Sequence, residues 1–93
     1  MYKRQSIHYK TNIARWKDFE KLVERIAYGI GYEVEVGKNY LVLNSGHPLV
    51  EPLVIEKKGK GFAKTNLIEP HHSIYLLILH SVAFFGSVEL WED

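Results

Sequence analysis

Three groups of residues in this 93-residue chain have types and spacing that could do chemistry. The first is the segment IEKKGKGFAKTN, residues 55–66, where Lys57, Lys58, Lys60 and Lys64 surround Gly59 and Gly61 with no acid between Glu56 and Glu69. Lysines in such a cluster bind phosphate as point charges, and glycines let a backbone approach closely. Lys3, Arg4 and Lys10 near the start add to the same capacity. The segment is not a nucleotide-triphosphate loop. That loop requires G-x-x-x-x-G-K-[ST], and here Lys58 and Ala63 fill both glycine positions ahead of Lys64-Thr65.

The second group is the five histidines. His71 and His72 open a helical stretch that also holds His80, but a helical ligand pair uses positions i and i+4, and position 76 is leucine. No metal site and no cofactor is expected. The third group pairs Ser45 with His47 in NSGHP and Glu33 with Glu35 in YEVEV. A nucleophile elbow G-x-S-x-G is absent, and the two glutamates alternate as the wet face of a strand. Neither pattern specifies an enzyme.

Lys60 to Ala63, KGFA, is similar to the first four positions of the RNP1 segment of the RNA-recognition motif. The similarity ends at the fifth position, where an aromatic residue is required and Lys64 stands; Thr65 and Leu67 depart at the sixth and eighth. Phe62, joined by Tyr9, is then the only aromatic surface expected for stacking, and no family is assigned.

These residues must be carried by elements that the hydrophobic pattern indicates. QSIHYKT alternates Ile7 and Tyr9 with polar neighbours, as a half-buried strand does. NIARWKDFEKLVERIAYGIG repeats apolar residues at three- and four-residue steps, giving an amphipathic helix with Thr11 or Asn12 as N-cap and Gly31 as its left-handed end. YEVEVGKNYLVLNS is a hairpin turning at Gly37-Lys38-Asn39. A second hairpin is expected from Leu53–Glu56 and Phe62–Thr65, with residues 57–64 around its tip. Pro70 starts a second helix over 70–85, and SVELWE closes the chain as a strand.

The order β-α-β-β-β-β-α-β is that of a two-layer α+β sandwich, one antiparallel or mixed sheet with two helices on one face, in a single domain spanning 1–93. Its expected core is Trp16, Phe19, Leu22, Val23, Ile26, Val34, Val36, Leu41, Leu43, Val54, Leu76, Leu79, Val82 and Leu90. The second helix is apolar almost all round. Ser73, Leu77, His80 and Phe84 fall on one stripe of it, which a chain this short has little left to cover, so a homodimer is expected through that stripe.

Composition bounds the rest. Net charge is +1, yet residues 1–17 carry five basic groups and no acid, residues 57–64 four lysines, and residues 65–93 four acids and no base. Segregation of this kind points to an anionic partner. The longest apolar run, 74–85, is too short to span a bilayer, and the basic start leads into no apolar run, so neither a membrane nor a signal peptide is expected. The chain has no cysteine, one methionine and one glutamine, which fits a cytoplasmic protein and leans toward a thermophilic source. The expectation is a non-enzymatic binding module that contacts nucleic acid through the 57–64 hairpin and the basic N-terminus. The alternative is a homodimeric assembly module built on the second helix.

Overall fold

The computed structural model describes residues 6–92. Its order is β1 (Ser6–Asn12), α1 (Trp16–Ile30), β2 (Glu33–Val36), β3 (Tyr40–Asn44), β4 (Leu53–Glu56), β5 (Lys58–Lys64), α2 (His71–Ser81) with a 3-10 turn (Val82–Phe84), and β6 (Ser87–Glu92). The α+β class and the element order are as the sequence indicates. The sheet is not single. Two antiparallel three-stranded sheets form, ordered β5-β1-β6 and β2-β3-β4.

Lys57 stands where the chain passes from one sheet to the other. Its N–H donates to Asn39 O at 2.8 Å beside the second sheet, and its carbonyl accepts Ile13 N–H at 2.7 Å beside the first. The chain therefore turns a corner from one sheet into the other, as strands do where two sheets meet at an angle. The expected hairpin at 57–64 does not form. Lys58–Lys64 is a continuous strand paired along its whole length with β1, from Ser6↔Lys64 to Asn12↔Lys58. Its glycines face inward and make room for neighbours. A Cβ on Gly61 would lie 2.8 Å from the Tyr9 ring, and one on Gly59 would run into the Glu56 carboxylate.

Alternation on β1 sends Ile7, Tyr9 and Thr11 into the core. Tyr9 Oη donates to Val54 O at 2.5 Å and Thr11 Oγ1 to Glu56 O at 2.7 Å, so two buried hydroxyls tie the first sheet to the backbone of the second. Burial pushes the Tyr9 hydroxyl pKa well above its ordinary value. Leu41, Leu43, Leu53 and Ile55 supply the second sheet's inner face. Val36 and Val54, expected in the core, are exposed, because on β4 it is Leu53 and Ile55 that point inward.

Helix α1 buries Trp16, Phe19, Val23 and Ala27, one stripe at helical spacing. Gly31 (φ 79°) ends it, its N–H returning to Ala27 O. Its start is later than the expected Thr11 or Asn12 cap, since both residues belong to β1. Arg15 holds the N-terminal position instead. Its guanidinium bonds Asp18 at 3.0 and 3.1 Å and lies 5.4 Å from the Phe85 ring centre.

Pro70 precedes α2, and the Glu69–Pro70 peptide bond is cis. The Glu69 carboxylate accepts both Ser73 N–H (2.9 Å) and Ser73 Oγ–H (2.6 Å), satisfying a first-turn amide that no N-cap side chain reaches. Because β5 and β6 both run antiparallel to β1, they are parallel to each other on its two sides. With α2 connecting them, β5-α2-β6 is a split βαβ unit. No helix among the described residues is long and apolar enough to cross a membrane.

Candidate nucleic-acid interface on the outer face of the first sheet

Strand geometry sends successive side chains to opposite faces. With Ile7, Tyr9 and Thr11 inward, Ser6, His8, Lys10 and Asn12 face out; Ala63 inward likewise puts Lys58, Lys60, Phe62 and Lys64 outward, and β6 presents Ser87, Glu89 and Trp91. The registers then set these residues in rows across the sheet. Phe62, His8 and Trp91 form one row, and Lys60, Lys10 and Glu89 the next; Lys58, Asn12 and Ser87 make the third.

The first row is a line of near-parallel rings. His8 lies 5.6 Å from Phe62 (interplanar angle 25°) and 5.7 Å from Trp91 (6°), centre to centre. Phe62 is 60% and Trp91 50% exposed. Each forgoes much of the roughly 1.5–3 kcal/mol that burying a large apolar side chain contributes. Four lysines surround the row, against one carboxylate, Glu89, among the described residues of the face. Lys10, Lys58, Lys60 and Lys64 form no ion pair among the described residues. A depression of about 460 Å³ opens among Lys10, Lys58, Lys60 and Glu89.

The structure thus brings together Lys10, Lys58, Lys60 and Lys64 and leaves Lys57 apart, at the corner. Lys3 and Arg4 lie outside the described residues. Tyr9, expected as a stacking partner of Phe62, points into the core. The partners are His8 and Trp91, which sequence reasoning did not select. The usable signal was the alternation itself: once Ile7 and Val88 are inward, His8 and Trp91 are outward by parity.

Beneath this face, a hydroxyl, an imidazole and a carboxylate line up. Thr65 Oγ1 and His72 Nδ1 are 2.5 Å apart, and His72 Nε2 lies 2.8 Å from Glu92 Oε1. In the neutral tautomer whose Nε2–H donates to Glu92, Nδ1 is the acceptor for the threonine hydroxyl. The group has the composition of a hydrolytic triad, but Thr65 is 0% exposed and no substrate reaches it. It works as a brace, joining the residue after Lys64 and the residue after Trp91 through α2, and so holds both edge strands in place.

His71 is engaged elsewhere, its Nδ1 hydrogen-bonded with Tyr32 Oη, whose pKa burial and the nearby Tyr75 push up to about 12. His80 stands exposed on the far side of α2. Among the described residues no three potential ligands converge on a metal position. Glu33 and Glu35 are exposed, as their strand alternation indicates.

The remaining expected site residues, Ser73, Leu77, His80 and Phe84, are all exposed, Leu77 at 68% and Phe84 at 78%. Comparison with family models, with curated proteins and with solved structures gives no match.

Proposed function

We propose that the protein is a binding module for single-stranded nucleic acid and that the outer face of β5-β1-β6 is its contact surface. The observation that carries this is the exposed row Phe62–His8–Trp91 set among Lys58, Lys60, Lys64 and Lys10. Unpaired bases stack on aromatic side chains irrespective of sequence, and lysines beside them meet the phosphates; a duplex hides its base faces and gains only the second contact.

Lysines on an edge strand also discourage edge-to-edge pairing, which would account for those on β5. That role does not extend to Lys10 on the central strand, nor to two large aromatic side chains left open to water.

Fluorescence anisotropy of labelled single strands and duplexes at two salt concentrations tests the proposal. Single strands are expected to bind more tightly. Three or four phosphate contacts give a slope of log affinity against log salt of about −2 to −3. Phe62→Ala and Trp91→Ala are each expected to weaken binding by about 5- to 150-fold, the equivalent of roughly 1–3 kcal/mol of stacking. Binding indifferent to salt or to both substitutions would refute the assignment.

A second reading, a homodimer through α2, draws on the exposure of Leu77 and Phe84 on the stripe identified from the sequence. It is compatible with the first, since that stripe and the basic face lie on different elements.

A further inference from the structure

We propose that a single strand bound on the sheet leaves it at the Asn12–Lys58–Ser87 end and lays its next phosphates in a basic groove around the corner. This rests on the sheet-face assignment and extends it to residues outside that face. The groove, about 480 Å³, lies between the start of α1 and the β2–β3 turn and is lined by Arg15, Lys17, Lys38 and Lys57, with Asp18 the only acid among the described residues that line it.

Asp18 is already held by Arg15 at 3.0 Å, and Lys17 lies 3.4 Å from Glu20. Lys38 and Lys57 form no ion pair among the described residues, which leaves two uncompensated cations facing one channel. Charges of one sign lining a concave surface concentrate their field there.

The groove is continuous with the sheet face. A bridging depression of about 380 Å³ is lined by Asn39, Tyr40, Val54, Glu56, Lys57 and Lys58, so one carboxylate stands beside the two lysines. It shares Lys58 with the depression on the sheet and Asn39 and Lys57 with the groove. The corner that takes the chain from β4 to β5 therefore also sets a row of cations from Lys60 through Lys58 and Lys57 to Lys38. At the opposite end of β5, the Glu51 carboxylate accepts Lys64 N–H at 2.7 Å, so an acid stands beside the last lysine of the strand.

The test is the dependence of affinity on length, using oligothymidylates from about 4 to about 12 nucleotides, within the site sizes of single-strand-binding domains. Affinity is expected to rise at least 10-fold beyond the few nucleotides that the aromatic row accommodates. Lys38→Glu, a change at an exposed turn residue away from the sheet face, is expected to cancel most of that rise while leaving the shortest oligomers unaffected. It should also flatten the salt slope of the longest oligomers by about 0.7 for each phosphate no longer neutralised. Tight binding of short oligomers with no gain from length, or a length gain that Lys38→Glu leaves intact, overturns the groove while the sheet-face assignment stands. Absence of binding at every length overturns both.

Discussion

Lys10 and Lys60 face each other directly across β1 and β5, on the same side of the sheet. Like charges so placed destabilise a strand pair by about 0.2–1 kcal/mol. Glu89, opposite Lys10 on the other side, offsets part of this for Lys10 and leaves Lys60 uncompensated. A position that costs stability in the free protein and gains when an anion arrives is what a phosphate contact requires. Lys60→Glu is therefore expected to act in opposite directions on two measurements. Thermal unfolding should rise by about 2–5 °C as a cross-strand ion pair with Lys10 replaces the repulsion. Affinity for a single-stranded oligonucleotide should fall about 10-fold or more, because a cation in the contact surface becomes an anion. A variant that binds as well as the parent would remove Lys60 from the interface.

Among the elements, α2 links the two edge strands of the contact surface, so its integrity bears on how firmly that surface is held. Its first turn depends on Glu69, whose pKa is lowered first by the Ser73 hydroxyl and then by the Ser73 amide, both of which donate to the ionised form. A carboxylate whose folded value is depressed stabilises the fold above its unfolded value, here near 4.5, and loses that contribution as pH falls through the lower folded value. Glu69→Ala is expected to lower the thermal midpoint at neutral pH. The gap between variant and parent should close as pH drops below about 4.5. A gap that persists at the acid end would mean that Glu69 acts by packing rather than as a cap. The brace Thr65–His72–Glu92 lies on the same helix, which makes α2 both the connection and the support of β5 and β6.

At the scale of the molecule, two exposed surfaces bear on function: the basic aromatic face of the first sheet and the α2 stripe. If copies associate through the stripe, changing Leu77 and Phe84 together to serine should convert a dimer into a particle of one 10.8 kDa chain by light scattering. Little fold stability should be lost, since both side chains are exposed in the single chain. A parent protein already of one-chain mass would end the dimer reading and leave the sheet face as the working surface.

Local periodicity and charge are enough to specify several features of this chain. The amphipathic stripe of α1 and its Gly31 end, the turn at Gly37–Asn39, the closing strand with Val88 and Leu90 inward, and the exposed stripe Ser73–Leu77–His80–Phe84 can each be read from spacing within a dozen residues. Other features depend on which distant segments pair, and no short window of sequence holds that information. KKGKG has the composition of a turn, and only its partnership with β1 makes it a strand. Only the Tyr9 ring, 52 positions earlier, explains the glycine at 61. His8 and Trp91 are remote from Phe62 in the chain and unremarkable alone, and became one aromatic row because β1 lies between β5 and β6 in the register that aligns them.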